Sequence, residues 1–163
     1  MSFPHFMAWL EGSALGHLMR DNGVWFYGIV NLTHILGVAT LFGAVIILDL
    51  RLLGVWADVP LAAISRPTQR MAAAGFCVAA LSGAGLLATK ATDYIGNPFF
   101  YIKIPAIGLA LLNVALVHFT PAWRAHRLRE LSMNERRQLA AMGGTSLLFW
   151  LTSIGAGRMI GYW

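Results

Sequence analysis

Charge is scarce in this chain of 163 residues, of which Asp, Glu, Lys and Arg together make up 12%. A soluble domain carries about 25%, so the surface of an ordinary soluble enzyme is excluded, and the 58% hydrophobic content excludes a disordered tail. Cysteine is nearly missing too. Cys77 stands alone inside an apolar run, which excludes an intramolecular disulfide and a cysteine-based metal cluster. There is no P-loop, no dinucleotide glycine motif, no HExxH and no GxSxG. The first twenty residues lack the cationic start and long apolar stretch of a signal peptide. The net charge of +5 raises nucleic acid as a partner. The arginines, however, fall in short clusters between apolar runs, a pattern that orients membrane helices and does not line a duplex.

What is abundant is uninterrupted apolar sequence, with a mean hydropathy of +0.64. Four intervals have no charged residue: Asn22–Leu48 with 27 residues, Met71–Thr89 with 19, Ile104–Trp123 with 20 and Gln138–Gly157 with 20. About 20 mainly apolar residues carry a helix across a hydrocarbon core of about 30 Å. The absence of alternating polar positions argues against a transmembrane barrel. The expectation is an all-α integral membrane four-helix bundle, one domain over 1–163, with spans near 24–53, 69–92, 98–121 and 137–160. Small residues such as Gly75, Gly83, Gly143 and Ser146 let such helices approach closely in lipid. Residues 1–21 recur at helical spacing through Phe3, Phe6, Met7, Leu10, Ala14 and Leu18 but are interrupted by Glu11, His17 and Arg20. They read as an amphipathic helix on the membrane surface.

Of the 12 basic residues, eight follow the first or third span (Arg51, Arg66, Arg70, Arg124, Arg127, Arg129, Arg136, Arg137) and four lie at the opposite ends (Arg20, Lys90, Lys103, Arg158). The positive-inside rule then puts both termini on the periplasmic side of a bacterial inner membrane. Trp25, Trp56, Trp123 and Trp163 sit at span ends, as an aromatic belt would. Arg124–Arg137 reads as a solvated loop helix.

Ionisable groups inside a bilayer are expensive and commonly functional. Here they are His34, Asp49, Lys103, His118 and Arg158. At 1.5 Å per residue, His34 lies roughly 15 Å below the outer end of its span and Lys103 about 8 Å below that of the third. His118 is ~22 Å deeper than Lys103. An outer polar level and an inner one follow, and His34 and Asp49, like Lys103 and His118, share a broad helix face. Asp49-Leu50-Arg51 reads as an interfacial ion pair. A buried imidazole on a transmembrane helix is a common ligand for haem b. His34 is accordingly the expected axial ligand, with His118 at a second metal site and Lys103 and Arg158 answering the propionates. The second ligand at the outer level would come from His17 or His5, or from Lys103 or Met159.

His34-Ile35-Leu36-Gly37, Asp49-Leu50-Arg51-Leu52-Leu53-Gly54 and Pro98-Phe99-Phe100 followed by Lys103 resemble a bacterial family of small multi-pass membrane proteins of unknown function. More distantly, the layout is similar to the membrane-embedded protoporphyrinogen oxidase family and to copper-resistance D-type membrane proteins. The former associates a first-helix His and a third-helix Lys with haem or porphyrin, which implies such roles for His34 and Lys103. The function expected is a haem b redox protein or electron-transfer subunit between a periplasmic redox partner and membrane quinone. It would act as a homo-oligomer or within a complex. Two alternatives stand beside it: a transport or assembly protein for copper or a small solute, with His34, Asp49, Lys103 and His118 along its path, and a structural subunit whose polar residues only lock helices together.

Overall fold

Gly12 and Ser13 break the first twenty residues into two helices. The computed structural model describes residues 2–163. In it α1 (Phe3–Glu11) ends at Gly12, and Ser13 opens α2 (Ala14–Asp21) by accepting a hydrogen bond from the Gly16 amide at 3.3 Å. The single surface helix expected over 1–21 is thus a pair, because a serine cap supplies the acceptor that starts a second helix. The long helices follow as α3 (Gly23–Leu52), α4 (Leu61–Thr89), α5 (Pro98–Phe119) and α7 (Met133–Met159), with short α6 (Pro121–Ala125) between the last two. Four helices, Gly23–Leu52, Leu61–Thr89, Pro98–Phe119 and Met133–Tyr162, are long and apolar enough to cross a membrane. The protein is an all-α, multi-pass membrane protein, with no strand among the described residues.

Two helix starts differ from the expected spans for local reasons. α4 begins eight residues before position 69, since the helix runs on past Arg70, Pro67 and Arg66, beyond the apolar stretch. α7 begins at Met133 and not 137. Ser132 accepts from the Glu135 amide while Glu135 accepts from the Ser132 amide, a reciprocal cap that fixes the first turn. The expected loop helix over 124–137 does not form: α6 ends at Ala125, α7 begins at Met133, and in the turn segment between them Arg129 grips Glu135 at 2.7 and 2.9 Å.

Packing groups the elements into two compact units. The first comprises the described residues up to Leu41 with Ala73–Asn97, and the second Phe42–Ala72 with Pro98–Trp163; α3 and α4 run through both. In the first unit, Met7 and Met19 are buried, and Met19 lies over Gly85 of α4. Arg20 donates to the carbonyls of Ala88 and Thr89 at 3.4 and 3.1 Å, placing a cation at the exposed carbonyl end of α4. The Glu11 carboxylate accepts from the Thr92 amide and hydroxyl at 2.8 and 2.7 Å, which holds its pKa below the ordinary 4.5. Phe6 and Trp9 remain exposed on α1, as a surface-lying helix requires. In the second unit, α5 packs along α7, and the core gathers Val117, Ala122, Trp123 and Leu139 against Leu48, Leu52, Leu61, Leu131 and Met142.

Candidate functional site

A close crossing of α3 and α4 builds the first unit's polar site. A Cβ on Gly75 would fall 2.4 Å from the Leu41 nitrogen, and one on Gly37 would fall 2.7 Å from the Ala79 nitrogen. Only glycine permits this backbone approach. It carries His34, one turn before Gly37, onto α4. There the imidazole Nδ1 meets the Ala79 carbonyl at 2.9 Å and the Ser82 hydroxyl at 3.3 Å. A carbonyl only accepts, so Nδ1 carries the proton and donates. In the neutral ring, Nε2 is then the basic nitrogen. Ser82 donates in turn to Val78. Gly83 clears space for the ring, because a Cβ there would stand 3.0 Å from His34 Cε1. Tautomer and direction of His34 are both fixed by α4.

The other expected residues each lie within one unit or the other. His17 is exposed on α2 and faces Asp21 at 3.7 Å. Lys103, Arg158 and His118 belong to the second unit. Lys103 is half-buried on α5 with its ammonium against Gly157 of α7. Neighbouring Arg158 donates to the Tyr162 hydroxyl and stacks over that ring at 4.8 Å, so these two cations share one end of the α5–α7 pair. His118 has both ring nitrogens engaged: Nδ1 donates to the Val114 carbonyl at 2.7 Å and Nε2 accepts from the Gln69 amide at 3.0 Å.

Asp49 and Arg51 do not form the expected ion pair. Residues two apart on a helix point in different directions. Arg51 donates to the Val59 and Ala57 carbonyls at 2.7 and 3.2 Å, closing the loop after α3. Asp49, 4% exposed, turns to α7, where Ser146 hydrogen-bonds to it; its Oδ2 has no partner among the described residues. The shared face of His34 and Asp49 is therefore divided between α4 and α7 as partners.

A second polar knot was not expected. His126 is buried in the loop after α6. Its Nδ1 donates to the Trp123 carbonyl, and its Nε2 accepts from the Ser65 hydroxyl at 3.0 Å. Burial depresses its pKa below 6.5. The Trp123 ring meets the His118 and His126 rings, with centroids at 5.6 and 4.4 Å. Trp123, only 5% exposed, is thus a core residue and no part of an aromatic belt, whereas Trp25 and Trp163 are well exposed. The readable signal was the Ser65/Gln69 spacing of four, which puts two hydrogen-bonding side chains on one face of α4.

Among the described residues, no three or more His, Cys, Asp or Glu side chains gather in a metal-binding group. A bare copper or zinc site draws several such ligands from the protein. Haem iron needs only one or two, since the macrocycle supplies the rest. The model of a family of unknown function matches residues 6–163. No curated protein and no solved structure matches the chain.

Proposed function

The chain belongs to DUF6644, a family of unknown function, and on that premise we propose that it is an integral membrane haem b protein with His34 as axial ligand. Its role is electron transfer between a periplasmic redox partner and membrane quinone, in the bacterial inner membrane with both termini periplasmic. The observation that carries this reading is the His34 Nδ1–H bond to the Ala79 carbonyl at 2.9 Å. An outer partner on one ring nitrogen raises the basicity of the other and orients it, as it does for metal-bound histidines generally. The lack of a multi-residue metal cluster among the described residues favours a prosthetic group that needs one protein ligand over a bare copper ion. The likeness to porphyrin-associated membrane families is consistent with this choice. Bound haem supplies one-electron chemistry. The chain supplies the ligand, its tautomer and a glycine-cleared seat.

The competing reading is that His34 only ties α3 to α4, and His34→Asn separates the two. The asparagine amide nitrogen takes the place of Nδ1 and keeps a donor to Ala79, but the coordinating nitrogen is gone. Detergent-solubilised protein from haem-replete cells is expected to show a Soret band that His34→Asn loses while remaining folded. A colourless wild type, or a variant with the full band, overturns the haem reading.

A further inference from the structure

Where α5 ends, Gln69, His118, Trp123, Arg124 and Arg127 line an open cleft of about 450 Å³. We propose that this cleft binds the phosphodiester headgroup of an anionic phospholipid. The site lies wholly within the second unit and does not depend on the haem reading.

The charge of the cleft is one-sided. Two guanidinium groups line it and no carboxylate does. The nearby acid Glu135 is already committed to Arg129 at 2.7 Å. Arg124 spends one donor on the Phe119 carbonyl at 3.1 Å, leaving most of its five N–H groups. Arg127 makes no hydrogen bond or ion pair among the described residues. Arginine forks match phosphate geometry. Gln69 gives one amide hydrogen to His118 and retains a second for a phosphate oxygen.

The lining is braced from α4. Ser65–His126 and Gln69–His118 are hydrogen bonds one helix turn apart on that helix, and the His118 and His126 rings meet Trp123 at tilts of 59° and 41°. The wall therefore needs little ordering when a ligand arrives. Position selects a lipid over a soluble anion. The cleft lies at the end of a membrane-spanning helix, and Phe119 and Leu128, next in the chain to the lining residues His118 and Arg127, have side chains 76% and 86% exposed. A cationic pocket at the headgroup level beside exposed apolar surface suits a phosphate that carries acyl chains.

Native mass spectrometry of the full chain, released from nanodiscs of mixed phosphatidylglycerol and phosphatidylcholine, tests this. Wild type should retain phosphatidylglycerol preferentially. A lost charge-assisted contact to the phosphate costs about tenfold, so Arg124→Gln with Arg127→Gln should weaken retention roughly 100-fold. Arg136→Gln with Arg137→Gln removes the same charge outside the cleft and should leave retention within about twofold. Arg124→Lys with Arg127→Lys keeps the charge, so loss there as well, in protein of native helical content, assigns the fork geometry as the determinant. Equal loss in the Arg136/Arg137 pair, or retention unchanged in the Arg124/Arg127 pair, overturns the site. Soluble glycerol phosphate binding as tightly as the lipid overturns the lipid assignment in favour of a free phosphoester.

Discussion

At the scale of single residues, Gly83 and Ser65 matter through what they leave open and what they give. A methyl group on Gly83 would press on His34 at 3.0 Å from Cε1 and 3.3 Å from Nδ1, tighter than ordinary carbon contacts. Gly83→Ala should tilt the ring and lower haem content in the folded protein, as measured by the pyridine haemochrome spectrum; wild-type content would show that the seat beside Gly83 has no part in binding. Ser65→Ala removes the hydroxyl that donates to His126 Nε2 at 3.0 Å. Leaving that buried nitrogen unpaired should cost about 1–3 kcal/mol, measured by denaturant unfolding in detergent. His126 also sets a pH dependence. Its folded pKa is depressed below 6.5, so the unfolded chain binds a proton first on acidification. Its stabilising contribution is present above 6.5 and is lost as pH falls through the lower folded value. His126→Asn should flatten that slope, and an unchanged slope would assign it to other groups. His34 was legible because an ionisable residue inside a charge-free run stands out. Ala79 was not, since a backbone carbonyl leaves no mark in a sequence, and Gly83 was visible as one of several small residues but not as the one facing the ring.

Among the helices, the α3–α4 crossing depends on backbone proximity. Gly75→Ala would set a Cβ 2.4 Å from the Leu41 nitrogen and 2.8 Å from the Gly37 carbonyl oxygen. Overpacking of this kind costs typically 1–3 kcal/mol. The variant should unfold earlier in a denaturing-detergent titration, and wild-type resistance would mean that the helices part without loss. The pair α1–α2 should respond to acid before the rest. Two Thr92 donors lower the Glu11 pKa, so the hold is full above 4.5 and fades as pH falls through the lower folded value. Hydrogen-exchange protection factors across residues 3–21, corrected for the intrinsic pH dependence of exchange, should fall over that window, and Glu11→Gln should remove that fall. The existence of the long helices was plain from the apolar runs, because a hydrocarbon core dictates their length. Their ends were not. α4 extends through Arg66 and Pro67 where solvation no longer demands apolar side chains, and the start of α7 is set by the Ser132/Glu135 cap.

For the molecule as a whole, the distribution of arginine makes one prediction about orientation. Eight of 12 basic residues follow the first or third span, and short loops rich in Lys and Arg stay cytoplasmic. Arg51 is held by the Val59 and Ala57 carbonyls, and Arg129 by Glu135, so these charges are fixed parts of compact loops. At the opposite ends Arg20 is bound to the α4 terminus and Arg158 to Tyr162, which leaves Lys90 and Lys103 as the remaining cations there. Both termini should therefore face the periplasm, and the Arg-rich cleft the cytoplasm. The test uses accessible positions. Cys77 is exposed on the surface of the isolated chain but lies mid-span, so it is first replaced by serine. A cysteine appended after Trp163 should then react with an impermeant maleimide added to whole spheroplasts. One at Leu128, whose side chain projects freely from the loop at 86% exposure, should react only after the membrane is opened. The reverse pattern would invert the topology. It would also turn the two-arginine cleft toward the periplasmic leaflet, so the same labelling decides which leaflet supplies its lipid.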